Sequence, residues 1–179
     1  MNNKINIKDK TFEVSISDTE IASIVKTIAN NINATKIENP IFIAVMNGAF
    51  LFAADVMRNI TIPNAEISFI KLASYSGTKS TGEVSELIGI SQNIKGRNVI
   101  IIEDIIDSGI TLEKIITLLK NEEVSDIKVA TLLFKPKAYT KDINIDFIGK
   151  SIPNDFVVGY GLDYDEIGRN LPHIYKLKE

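Results

Sequence analysis

The chain has 179 residues, 45% of them hydrophobic and 24% charged, with a net charge of −3. That length suits one domain, able to bury roughly 70% of the surface its unfolded chain exposes. The absence of cysteine and the single His173 exclude disulfides, zinc–thiolate sites, thiol catalysis and His-rich metal centres, and the slightly acidic balance gives no electrostatic footprint for nucleic acid.

No apolar run approaches the ~20 residues a membrane helix needs. The opening stretch MNNKINIKDKTFEV lacks the apolar core of a signal peptide, so a cytoplasmic protein is expected.

Residues 4 to 16 alternate loosely, which suits an edge strand or hairpin. Asp18 is placed to cap a helix carrying Ile21, Ile24, Val25 and Ile28 at helical spacing. Segment 41–46 (IFIAVM) reads as a short apolar strand, and 48–59 as a helix. Segment 66–72 is another strand. Residues 73–83 (ASYSGTKSTGE) have the Gly, Ser and Thr content of a loop. Strands are expected at 84–90 and 99–103. An amphipathic helix over 109–121 carries Leu112, Ile115, Ile116 and Leu119 on one stripe. A further strand covers 127–134, with shorter ones near 146–149 and 156–160. Strands alternating with helices predict an α/β fold, a parallel sheet with helices on both faces. The continuous apolar runs at 41–46 and 99–102 fit strands covered on both sides. No repeat, low-complexity tract or linker divides the chain.

The block VIIIEDIIDSGITL, residues 99–112, carries the chemistry. Four aliphatic residues lead into Glu103 and Asp104, and Asp107 opens a turn into a helix. In open α/β sheets, ligands bind outside the carboxyl ends of the strands. Free N–H groups at a helix N-terminus, reinforced by the dipole, bind anions. Gly109 permits close approach, and Ser108 and Thr111 add hydroxyls. An anion cradle rimmed by carboxylates suits a phosphate beside vicinal hydroxyls, as in a sugar phosphate. The plainer alternative is that Asp107 or Ser108 caps the helix and the other acids are solvated.

This block resembles the signature of type I phosphoribosyltransferases. Three further stretches resemble the hypoxanthine-guanine branch in the same order: VMNGAFLFAADVMR at 45–58, SYSGTKSTGEV at 74–84, and FKPKAY with IPNDFVVGYGLDYDEIGRNLPHI at 134–139 and 152–174. The resemblance implies a single domain over 1–179, with a core of about 36–150 and a small hood lobe from about 1–16 and 151–179. It implies purine salvage: transfer of 5-phosphoribosyl from phosphoribosyl pyrophosphate to hypoxanthine or guanine, giving IMP or GMP and pyrophosphate.

Residue by residue, the resemblance implies that Glu103 and Asp104 hold the ribose hydroxyls. Asp107, Ser108, Gly109, Ile110 and Thr111 would hold the 5′-phosphate, with Asp107 also the general base at purine N7. Lys135 would donate to the exocyclic oxygen, Phe156 stack on the purine and Val157 read its edge through the backbone. Asn47, Gly48 and Arg169 would bind pyrophosphate, with a cis peptide between Met46 and Asn47. Many relatives have lysine or arginine at the position of Asn47, so the grip here depends more on backbone N–H groups and Arg169. Asp163, with Glu103 and Asp104, would serve Mg2+, which takes one or two carboxylates plus substrate oxygens and water. Ser74 and Tyr75 would belong to a lid over 73–83 that excludes water. A homodimer or homotetramer is expected, with small-molecule substrates and neither nucleic acid nor membrane as partner.

Each residue also has an ordinary reading. Lys135 could be an exposed strand-end lysine, Phe156 a core residue, Arg169 a partner of Asp165 or Glu166, and Asn47-Gly48 a plain turn. His173 has no implied role beyond packing or the surface. Three other functions compete. A regulator that kept the fold would need a DNA-binding element, for which the chain has no basic extension. A phosphoryl-accepting receiver domain would have no purine-stacking aromatic. The same enzyme class could act on xanthine or a pyrimidine.

Overall fold

Two sheets divide the strands in this computed structural model, which describes residues 4–72, 86–90 and 92–178. The chain opens with an antiparallel hairpin, β1 (Lys4–Ile7) and β2 (Lys10–Ile16). Helix α1 (Asp18–Ala34) follows, then β3 (Ile41–Val45), α2 (Phe50–Asn59) and β4 (Glu66–Leu72). A short strand β5 (Glu86–Ile88) pairs antiparallel with β4. Next come β6 (Asn98–Ile106), α3 (Ile110–Asn121), β7 (Asp126–Phe134) and β8 (Phe147–Ser151). The chain closes with β9 (Val157–Val158) and β10 (Ile174–Leu177).

The larger sheet runs β5-β4-β3-β6-β7-β8, parallel except for its β5 edge. Its strands bury both faces, and the alternation of side chains shows how. Phe42, Ala44, Ile100 and Ile102 pack with α1 and α2 residues such as Ile28 and Phe52. Ile41, Ile43, Val99 and Ile101 pack with Leu112, Ile115 and Leu119 of α3. Helices therefore cover both faces, as the uninterrupted apolar runs predicted. Each of the Ile, Leu, Val and Phe side chains among them contributes about 1.5–3 kcal/mol on burial. The smaller sheet, order β1-β2-β10-β9, is antiparallel and draws its strands from residues 4–16 and 157–177. Its own cluster contains Ile7, Phe12, Val158 and Tyr175. No helix among the described residues is long and apolar enough to cross a membrane.

Several boundaries differ from the sequence reading. Strand β6 runs to Ile106 rather than ending at 103, because β7 stays paired with it as far as Ile106 opposite Phe134. Glu103 and Asp104 therefore lie within the strand. Strand β9 is two residues long, since glycines with positive φ at 159 and 161 turn the chain away. Strand β10 was not anticipated. The expected lid, with Ser74 and Tyr75, lies outside the described residues, as do residues 84 and 85 of the expected 84–90 strand.

The cap of α1 also moves. Asp18 was expected at that position, but Ser17 takes it, with extended backbone and its Oγ accepting from the Glu20 N–H at 3.2 Å. Asp18 is already helical, and its own N–H donates to His173 Nδ1 at 2.9 Å. The lone histidine thus satisfies a helix-end donor from the far end of the chain. Ser17→Ala is expected to cost about 1 kcal/mol of stability and Asp18→Ala about 0.5 kcal/mol, measured by urea unfolding with each variant beside wild type.

Candidate functional site

Every catalytic candidate in the larger sheet sits at the carboxyl end of a parallel strand. Asn47 and Gly48 follow β3, Asp107 to Thr111 follow β6, and Lys135 follows β7. That is where open α/β sheets bind ligands.

The turn after β6 is an uncapped helix start. Gly109 occupies the cap position of α3 at φ 82°, and no side chain caps the first amides. Ser108 Oγ stands 3.5 Å from the Ile110 N–H, at the outer limit of a hydrogen bond. The ordinary capping role considered for Asp107 or Ser108 is thus not taken up, and the first amides of α3 keep their donors for an anion. Glu103, Asp107, Ser108, Gly109, Ile110 and Thr111 line a concavity of about 110 Å³ here. The loop after β7 braces it. A Cβ on Gly109 would lie 2.5 Å from the Tyr139 ring, and Thr140 N–H donates to Ser108 O at 3.3 Å. Tyr139 had no assigned role in the sequence, although it lies in the FKPKAY stretch.

Of the two acids within β6, Glu103 is buried and Asp104 half-buried. Burial, with the neighbouring Asp104 charge, pushes the Glu103 carboxyl well above the usual range. Burial pushes Asp104 up to about 6; its own and the Ile105 backbone N–H, and then Arg169, oppose the rise, and Asp163 adds to it. Gly48 lies directly on that carboxylate: a Cβ there would be 1.9 Å from Asp104 Oδ2. Only glycine fits. The Met46–Asn47 peptide beside it is cis, as the resemblance implied.

Across the site stand Asp163 and Arg169. Arg169 pairs with Asp163 at 2.8 Å and Glu166 at 3.0 Å, and donates to Gly161 O at 2.9 Å. Asp165 pairs instead with Lys8. The Arg169 Nε is buried with no partner among the described residues, so the guanidinium keeps a donor for an incoming acceptor. Asp163 also accepts the Glu166 N–H at 2.7 Å. No group of three metal-binding side chains gathers among the described residues. Asp163, Glu103 and Asp104 do not form a closed cage, and an ion here would draw most ligands from substrate and water.

Lys135 is buried, not an exposed strand-end lysine, and its Nζ donates to Asp107 Oδ2 at 2.9 Å. Phe156 is not a core residue: it is 44% exposed. Its ring meets Phe12 at 6.2 Å and the edge of Tyr164 at 5.8 Å, with an interplanar angle of 84° to the latter. Val157 is buried beside it in β9 and pairs with Lys176 of β10.

A parallel sheet with an uncapped helix start after β6, two acids within that strand and an arginine across the cleft is the frame of a ribose-phosphate transferase. The model of the phosphoribosyl transferase domain matches residues 15–165, most of the chain. The chain belongs to the phosphoribosyltransferase family. A hypoxanthine-guanine phosphoribosyltransferase of Staphylococcus epidermidis is 40% identical over 167 residues, covering 92% of this chain and 93% of that protein. A hypoxanthine phosphoribosyltransferase of Buchnera aphidicola is 42% identical over 172 residues, covering 93% and 96%. Among solved structures, a hypoxanthine phosphoribosyltransferase from Staphylococcus aureus superposes with a TM-score of 0.86 at 37% identity, covering 93% of this chain and 91% of that one.

Asp104 gives a testable pH dependence. Its native pKa lies above the ordinary value of 3.8, so the native state holds the proton more tightly than the unfolded chain. Its contribution is fully present below about pH 4 and is lost as pH rises through about 6. Asp104→Asn is therefore expected to raise stability at pH 7 by about 1–3 kcal/mol, with the gain vanishing near pH 4. Denaturant unfolding at both pH values checks this, and activity is expected to fall in the same variant.

Proposed function

We infer that this protein is a purine-salvage enzyme that transfers the 5-phosphoribosyl group of phosphoribosyl pyrophosphate to hypoxanthine or guanine, releasing IMP or GMP and pyrophosphate. The observation that carries the choice of acceptor is the Lys135–Asp107 pair, 2.9 Å apart and next to the anion cradle. A 6-oxopurine presents N7 and O6 side by side on one edge. Lys135 supplies a donor to O6, and Asp107 supplies a carboxylate to N7. Phe156 offers its exposed face for stacking, and the Val157 backbone lies at the base edge.

The 5′-phosphate sits on the amides and hydroxyls of Ser108 to Thr111, with Asp107 at the loop's edge. Glu103 and Asp104 accept from the ribose hydroxyls. Pyrophosphate lies between Asn47, Gly48 and Arg169, whose fork suits phosphate oxygens. With the donor so held, purine N9 bonds to C1′ as the bond from C1′ to pyrophosphate breaks, and Asp107 takes the N7 proton. Magnesium, when bound, neutralises charge on the departing pyrophosphate. Asp163, helped by the β6 acids, with substrate oxygens and water, would meet its usual demand for one or two carboxylates. The small sheet that carries Phe156 acts as the hood. The reading places the enzyme in the cytoplasm as a homodimer or homotetramer.

A coupled assay offering hypoxanthine, guanine, xanthine and uracil, with and without magnesium, tests the whole. Turnover is expected only with 6-oxopurines and only with the metal; transfer to uracil alone would overturn the assignment. Lys135→Ala is expected to raise the purine KM roughly tenfold or more with little change in donor KM. Asp107→Asn is expected to cut kcat by about 10²–10⁴ while donor affinity changes far less; equal losses in both would remove Asp107 from proton handling.

A further inference from the structure

Tyr160 and Asp55 lie outside every role described so far. Tyr160 is buried, and its phenol donates to Asp55 Oδ2 at 2.6 Å across 105 residues of sequence. Burial, and then the Asp55 carboxylate, push the phenol above its ordinary range, so it stays a donor. Tyr160 adopts φ 50° between two glycines at 99° and 102°. A non-glycine residue in the left-handed region persists where its surroundings over-determine it. Three contacts do so here. Tyr160 N–H donates to Leu171 O at 2.8 Å. A Cβ on Gly159 would meet His173 O at 2.1 Å, and one on Gly161 would meet Gly48 O at 2.0 Å.

The last contact gives the pair its meaning. Gly161 presses on the carbonyl of Gly48, and its own carbonyl accepts from Arg169. Asp55 lies on α2, the helix that begins directly after the 46–49 turn. One hydrogen bond therefore joins the turn bearing Gly161 to the helix that follows the Gly48 turn. We propose that the Tyr160–Asp55 hydrogen bond is a positioning element that sets the Gly48 turn against Arg169, and so fixes the spacing of the two sides that grip the pyrophosphate of the donor. This rests on the assignment of pyrophosphate to Asn47, Gly48 and Arg169. Neither residue touches substrate; both act through the two loops. The effect falls on the donor first because Lys135 and Asp107 stand on other elements, after β7 and β6.

The test is steady-state kinetics on the full-length protein with phosphoribosyl pyrophosphate and hypoxanthine, with thermal unfolding in parallel. Tyr160→Phe and Asp55→Ala are expected to raise donor KM roughly fivefold to tenfold, with purine KM within about twofold. Asp55→Asn keeps an oxygen that accepts the phenol and is expected to stay near wild type. A general structural role would lower Tm and move both constants together, and that outcome overturns the proposal. So does an unchanged donor KM in both truncations, or an Asp55→Asn variant as impaired as Asp55→Ala. Should Tyr160→Phe fail to fold, the two substitutions at the part-exposed Asp55 decide alone. Wild-type protein that does not use phosphoribosyl pyrophosphate would refute the underlying assignment instead, before any variant is compared.

Discussion

Two carboxylates drawn into a parallel strand, Glu103 buried and Asp104 half-buried, are the constraint around which the rest is arranged. Glu103 and Asp104 sit on β6 with the larger sheet beside them and helices on both of its faces. Buried charge without compensation is costly. Asp104 meets that cost with two backbone N–H groups and a nearby arginine, and only a glycine at position 48 leaves it room. On the proposed assignment, the cost is accepted at the place where a diol and a cationic centre would meet the acids. Stability and activity thus pull in opposite directions at one residue.

The neighbouring features follow from this placement. Asp107 lies beyond the end of β6, more exposed than the two acids before it, and meets Lys135 from the adjacent strand. Because β6 and β7 are in register through Ile106 and Phe134, the two residues that follow are brought to the same height. Parallel pairing turns a sequence separation of 28 into a contact. The uncapped start of α3 then opens beside that contact, so the proposed phosphate and purine positions adjoin without any long loop between them.

Much of this was legible in the residues themselves. The apolar runs of β3 and β6 announce strands covered on both faces, and the Asp-Ser-Gly-Ile-Thr turn announces an anion site, because both signals are local. What stayed hidden depends on contacts between distant segments. Ser17 and Asp18 are both good caps, and the choice falls to Ser17 because His173, 155 positions on from Asp18, engages the Asp18 N–H. Phe156 in IPNDFVV looks like a core residue, yet it is half exposed beside the edge strand of the small sheet. Tyr160 and Asp55 carry no local signal at all. The metal assignment was readable only from family resemblance, since the acids concerned do not gather into a ligand set of their own.

The small sheet has a consequence for biosynthesis. Strand β10 lies between β2 and β9 and is hydrogen-bonded to both. A nascent chain emerging from the ribosome completes the cradle, Lys135 and the central strands well before residues 174–177 appear. The Phe156 platform has no neighbouring strand until those residues leave the exit tunnel, because β9, at the edge of the sheet, pairs with β10. On the proposed assignment, competence to hold the sugar phosphate thus precedes competence to hold the base during translation, and the two halves of the site mature in the order in which they are synthesised.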